Sequence, residues 1–156
     1  MVHFEYDDGG RAAAGFKGGA GDCVTRAITI ATQLPYREVY NALAEGNATQ
    51  RLSKRTRQSK NRTGIRTARH GIFTKRKWFK DYMQTLGFEW TPTMQIGSGC
   101  QVHLREDELP KTGRLVLNLS RHCAAYMDGV LRDTYDSSRG GTRCVYGYWT
   151  HRHIYQ

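Results

Sequence analysis

The sequence predicts an α+β protein with helices first and an antiparallel β-sheet after them. Three observations carry this. Between residues 21 and 43, apolar side chains recur at helical spacing. From Gly113 onward the period changes to that of strands. Within that second half, Asp128–Gly129 joins two alternating runs, a strong hairpin signal.

The first helix is read from Gly21-Asp-Cys-Val-Thr-Arg-Ala-Ile-Thr-Ile-Ala31. Val24, Ala27, Ile28 and Ala31 form one apolar face, and Asp22 is a favoured N-cap residue. Cys23 falls in the first turn, where unpaired N–H groups and the positive end of the dipole stabilise a thiolate. This helix is expected to end near Leu34, because Pro35 follows it. Pro35 then starts a second helix carrying Tyr36, Val39, Tyr40 and Leu43, which Gly46-Asn47 is expected to close. Residues 1–20 show little pattern after Tyr6. They read as a surface segment delivering the chain to Cys23.

At 156 residues the chain has the length of a single domain, 1–156. Its formal charge is +10, but residues 51–80 hold 12 of the 24 Lys and Arg and no Asp or Glu. The rest is near neutral, with 12 basic against 14 acidic side chains. A wholly basic binding domain would spread its cations over a face. Here they are concentrated in sequence, and few apolar residues accompany them, so a basic, mobile loop is expected at about 50–73. Lys54, Arg55, Arg57, Lys60, Arg62, Lys75, Arg76 and Lys77 are candidates for binding nucleic acid or another polyanion. Trp78 and Phe79 are candidates for stacking beside them.

A third helix is expected over about 75–86, with Trp78, Phe79, Tyr82 and Leu86 on its apolar face. A short strand before Pro92 follows, then a loop at Gly97-Ser-Gly-Cys100 and at most one helical turn at 105–110. Strands are expected at Arg114–Leu119, His122–Met127, Val130–Tyr135 and Thr142–Trp149. Trp90, Tyr148 and Trp149 are expected to pack the sheet.

A two-residue turn at Asp128–Gly129 pairs Tyr126 with Leu131, Ala124 with Asp133 and His122 with Tyr135. His122 and Asp133 then share a face one diagonal step apart, within hydrogen-bond reach. Asp136 is the alternative partner if the turn is wider. An acid beside a histidine fixes its tautomer and favours its charged form. Set against a cysteine at a helix start, such a histidine is a base for a thiol nucleophile.

In this order the chain resembles the papain-like cysteine peptidases: a cysteine heading the first long helix, a histidine opening a strand hairpin, and an acidic or amide residue on the return strand. Asp133-Thr-Tyr135 is similar to the Asn-Ser-Trp of that family's return strand. Gly-Asp-Cys-Val-Thr-Arg-Ala, Leu-Ser-Arg-His-Cys-Ala and Asp-Gly-Val-Leu-Arg-Asp-Thr-Tyr-Asp resemble small papain-like proteins of bacteria and phages. The likeness spans about residues 15–50 and 86–149. It implies a papain-like fold and hydrolysis of a peptide, isopeptide or other amide bond by Cys23, His122 and Asp133, with no cofactor. The family places a glutamine about six residues before the cysteine as an oxyanion donor. Here that region is Lys17-Gly18-Gly19, which makes Lys17 the candidate donor. The alternative is a catalytically idle papain-like fold that binds nucleic acid or a host protein through its basic loop.

A zinc site was weighed from the ligand spacing of Cys100-x-x-His103, completed by His122, Cys123 and Cys144. Regular alternation points Cys123 away from His122, which argues against one ion taking both. His151-x-His153 reads as a frayed basic C-terminus, and His70 has no partner. The four cysteines lack the spacing of a disulfide framework, the N-terminus has no signal-peptide pattern, and no run reaches transmembrane length. Together these point to a reducing, cytoplasmic compartment.

Overall fold

A computed structural model describes residues 2–16, 21–49, 72, 74–95 and 97–152. Within these the protein is α+β, with helices α1 (Cys23–Thr32), α2 (Tyr36–Thr49) and α3 (Lys77–Thr85). The strands are β1 (His3–Tyr6), β2 (Phe88–Pro92), β3 (Val102–His103), β4 (Arg114–Leu119), β5 (His122–Met127), β6 (Val130–Asp133), β7 (Cys144–Val145) and β8 (Gly147–His151). Six strands form one sheet in the order β1-β6-β5-β4-β8-β2, and β3 pairs with β7 separately.

The large sheet is mixed, not antiparallel. Residues 3–6, which carry no clear pattern, add a strand parallel to β6, with Tyr6 beside Asp133. The remaining pairs are antiparallel. The β5–β6 hairpin has the register its turn predicts, with Tyr126 opposite Leu131 and Met127 opposite Val130. Asp128 and Gly129 both have positive φ, 50° and 85°, as a tight turn matched to the strand twist requires. Pairing extends only to Ala125 and Arg132. His122 and Asp133 therefore lie past the β5–β6 ladder.

Strand alternation sends side chains to both faces of the sheet, and both are covered. On one face, Val116, Cys123, Ala125, Phe88 and Trp149 meet Val24, Ala27, Ile28 and Ala31 of α1. Val39 and Leu43 of α2 and Phe79 and Met83 of α3 complete this layer. On the other, Leu115, Leu117, Leu119, Ala124, Tyr126 and Leu131 pack beneath Leu104, Leu109 and Val145. The segment around 102–110, expected to be loop with at most one helical turn, thus supplies core residues.

Several local expectations are corrected. Helix α1 stops at Thr32, where Gln33 takes a left-handed cap conformation and its N–H bonds Thr29. Helix α2 runs on through Gly46 to Thr49, because Gly46 serves packing instead of termination. A Cβ there would overlap the Trp78 ring. Trp78 and the buried Phe79 are thus committed to the interior side of α3 and are not open stacking platforms. Helix α3 is shorter than its apolar pattern suggested. The strand expected over 142–149 is split between two sheets, since the N–H of Tyr146 bonds the Asn118 carbonyl between β7 and β8.

Cys100 and Cys144 form a disulfide that ties the 97–103 segment to β7, where free thiols were expected. Sequence spacing is silent here because the antiparallel β3–β7 pair creates the proximity. His151 lies in β8 and its Nε2 is 2.9 Å from the Leu86 carbonyl oxygen, so it belongs to the sheet. His153, His70 and most of the basic segment lie outside the described residues. Trp149 is buried, while Trp90 stacks on it at 5.0 Å and stays 38% exposed at the sheet edge. No helix among the described residues is long and apolar enough to cross a membrane.

Candidate active site

Cys23 is the first residue of α1, and its side chain is partly exposed. The apolar face of the helix packs on β5, so the helix start is carried to the end of the sheet where β5 begins. There a two-residue connection at Ser120–Arg121, with Arg121 at φ 55°, turns β4 into β5 and makes His122 the first residue of the strand. The Asp128–Gly129 turn then returns the chain so that Asp133 ends β6 beside it.

His122 Nε2 donates to Asp133 Oδ2 at 2.6 Å. Its other ring nitrogen is left for the Cys23 thiol, which interacts with the ring electrostatically. Tyr135 tilts over the imidazole, with ring centroids 5.4 Å apart, and remains half exposed. Asp133 is held from several sides. The Thr134 N–H donates to Oδ1 at 2.7 Å, the Ser137 hydroxyl donates to Oδ2 at 2.9 Å, and Arg26 Nη2 lies 3.7 Å from Oδ1. Asp136 is engaged elsewhere, accepting from the Ser138 N–H and hydroxyl. The tight turn, with no extra residues, brings Asp133 to the histidine and leaves Asp136 beyond it.

The electrostatics form a charge pair. Burial pushes the His122 imidazole toward its neutral form, but hydrogen bonds and charge from Asp133 and Cys23 outweigh it and raise its pKa to about 9. The neighbouring Cys123 thiol holds the Cys23 thiol well below its usual range. Burial opposes this, and the hydrogen bond and charge of His122 add to the lowering. Burial also opposes the charge on Asp133, yet His122, the Thr134 N–H and Ser137 keep its pKa below that of an ordinary aspartate. Contact with Cys23 and then burial push the Cys123 thiol well above its usual range. These shifts favour a Cys23 thiolate facing a His122 imidazolium, with Cys123 protonated.

His122 and Cys123 both reach Cys23, although adjacent residues of a regular strand point to opposite faces. His122 opens β5 beyond its paired stretch with β6, so its ring is free to lie across the strand end. The cysteines of the weighed zinc set are used otherwise. Cys100 and Cys144 are bonded to each other, and His103 Nδ1 sits 3.1 Å from Glu108.

Asp22 does not cap α1 with its side chain. Its carboxylate is buried, accepts from Arg26 Nη1 at 2.6 Å and from the Tyr36 hydroxyl, and is ion-paired with Arg11, whose Nε lies 3.1 Å away. Burial, then the hydrogen bond to Asp22, raises the Tyr36 pKa far above its usual range. Arg26 therefore bridges Asp22, beside the cysteine, to Asp133, beside the histidine. Sequence reasoning missed this arginine. Its signal was a single charge set four residues after Asp22 inside the otherwise uncharged run from Val24 to Ala31. Ser137 and Cys123 were missed as partners as well.

Of the basic candidates, Lys75, Arg76 and Lys77 are among the described residues. Lys77 pairs with Asp81 at 2.7 Å, which partly offsets the unfavourable basic start of α3. Lys54, Arg55, Arg57, Lys60, Arg62 and the oxyanion candidate Lys17 lie outside them. None of the family models, curated proteins or solved structures compared with this chain matches it.

Proposed function

We propose that the protein is a papain-like cysteine hydrolase that cleaves a peptide, isopeptide or other amide bond through Cys23, His122 and Asp133. One observation carries the reading: His122 is hydrogen-bonded to Asp133 and interacts electrostatically with a cysteine at the first turn of a helix. The Cys23 thiolate attacks the substrate carbonyl, and the His122 imidazolium gives its proton to the leaving amine. This leaves a thioester on Cys23. The now neutral His122 takes a proton from water, which hydrolyses the thioester and restores the thiol pair. Asp133 keeps the ring oriented and favours its charged form. The backbone N–H of Cys23, at the helix start where no intrahelical acceptor exists, is available to the oxyanion.

Acyl capture tests this. An activated thioester or ester acyl donor is expected to add one acyl group to Cys23, seen as an intact-mass increment that decays by hydrolysis. The adduct should be absent in Cys23→Ala and form at least tenfold more slowly in His122→Ala. Equal acylation in wild type and His122→Ala would remove the base from the mechanism and the reading with it.

A second reading rests on the 12 cations without an acid between residues 51 and 80. Such a segment suits a polyanion, and it is compatible with hydrolysis at Cys23. Single-stranded DNA affinity, followed by fluorescence anisotropy, should then fall on the order of a hundredfold or more between 50 and 200 mM salt. Absent binding at low salt, or binding indifferent to salt, would exclude this role.

A further inference from the structure

Two of the four cysteines are free, and both stand at the same place. Cys23 opens α1 and is partly exposed, and Cys123 is buried under it on β5. Both belong to the layer packed between α1 and the sheet, where each acts on the other's titration, and the Cys123 thiol donates to Asn118 Oδ1 at 3.5 Å. Acyl transfer by Cys23, His122 and Asp133 does not require a second thiol. A buried cysteine in an apolar layer is ordinarily inert, but this one touches the one sulfur that the site activates.

We propose that Cys123 is the resolving thiol of Cys23, and that hydroperoxides convert the pair to a reversible Cys23–Cys123 disulfide that shuts the nucleophile off. The inference rests on Cys23 as the site's nucleophile and on the packing of the two free cysteines in one layer, but not on amide hydrolysis.

The chemistry balances with a hydroperoxide as the only added reactant. The Cys23 thiolate attacks the terminal peroxide oxygen, so an S–O bond forms and the O–O bond breaks. Cys23 becomes a sulfenic acid, oxidised by two electrons, and the departing hydroxide or alkoxide takes the His122 imidazolium proton to leave as water or an alcohol. The Cys123 sulfur then attacks the Cys23 sulfur. The S–O bond breaks, the S–S bond forms, and the Cys123 proton leaves with the hydroxyl as water.

The order of events follows from placement. Cys23 is the exposed member and the thiolate, so it meets the oxidant first. Cys123 is sheltered from solvent and protonated, so it is spared direct oxidation and meets the sulfenic acid from within. Two sulfurs in one packed layer, with α1 lying on β5, need only side-chain rotation to close a bond. Without a neighbouring thiol, a sulfenic acid on an exposed thiolate proceeds to sulfinic acid, which thiol reductants do not reverse. The structure therefore places protection and inactivation in one contact.

The experiment uses the full chain with its Cys100–Cys144 disulfide left intact. Protein is treated with a few equivalents of hydrogen peroxide, alkylated and mapped by mass spectrometry without reduction. A linked peptide pair containing Cys23 and Cys123 is expected. Iodoacetamide labelling of Cys23 should fall more than tenfold and return on brief treatment with dithiothreitol. In Cys123→Ser the same peroxide dose should leave Cys23 as sulfinic acid, with no recovery. Recovery of wild-type Cys23 as sulfinic acid without the linked pair, or no oxidation of Cys23 at all, would overturn the proposal. The wild-type mapping decides the matter even if the variant folds poorly. Acyl capture on untreated protein reads the hydrolase function separately, so either idea can fail alone.

Discussion

Cys23 is expected to alkylate with iodoacetamide at a nearly constant rate between pH 6 and 8, whereas an ordinary thiol accelerates about tenfold per unit below its pKa near 8.5. The direction follows from the site. Cys23 is held well below its usual range by the Cys123 thiol and by His122, so its thiolate fraction near neutrality exceeds that of an ordinary thiol. A second rise is expected near pH 9, where His122 loses its proton and the thiolate is released from its imidazolium partner. At pH 6 an unperturbed thiol is roughly 0.3% thiolate, a deficit of about 300-fold relative to a fully ionised one. Thiolates of low pKa are intrinsically less nucleophilic, which returns part of that gain. A net advantage of at least tenfold at pH 6 over His122→Ala is therefore expected. In that variant the imidazolium is gone while burial remains, so the Cys23 pKa should move up and the rate profile should slope like that of an ordinary thiol. Asp133→Asn should fall between the two, because the ring keeps a hydrogen-bond partner and loses the charge that favours its protonated form. Equal slopes in wild type and His122→Ala would show that no ion pair exists.

Asp22→Asn should destabilise the fold by roughly 3–5 kcal/mol, as expected when one partner of a buried charge network is removed. Asp22 is 2% exposed and faces Arg26, itself nearly buried, and Arg11, about nine-tenths buried. The asparagine preserves shape and one acceptor oxygen for the Tyr36 hydroxyl but leaves two guanidinium groups without their anion. Arg26 retains its longer approach to Asp133 at 3.7 Å. For a chain of this size the loss corresponds to a fall in Tm of roughly 10 °C. Urea denaturation supplies the free energy, and a loss below about 1 kcal/mol would place the pair with exposed ion pairs. Combining the change with Arg26→Met tests the cause. Replacing both charges with neutral groups of similar volume should recover part of the stability, since the penalty lies in the orphaned cation. If the double variant is no more stable than Asp22→Asn, loss of packing and not charge is responsible.

These two sites differ in how legible they were. The hairpin was readable because a two-residue turn sets the register of both strands, and a register names which side chains meet. The position of Cys23 was readable because helix periodicity and the glycines before it mark where the helix begins. Arg26 was not readable in the same way, since a charge within an apolar run counts against burial until its partners are known. Its partners, Asp22 and Asp133, are 4 and 107 residues away, and only the second requires the fold.

The helix–sheet division, the approximate positions of the three helices and the β5–β6 register were contained in local periodicity, turn chemistry and spacing. These are short-range effects, and short-range effects are written in contiguous residues. The parallel pairing of β1 with β6, the Cys100–Cys144 disulfide, the Gly46–Trp78 contact and the Cys23–Cys123 contact depend on tertiary structure. Each joins segments distant in sequence through the packing of two layers on one sheet. That packing converts a cysteine at a helix start and a histidine at a strand start into neighbours, and sets a second thiol beneath them.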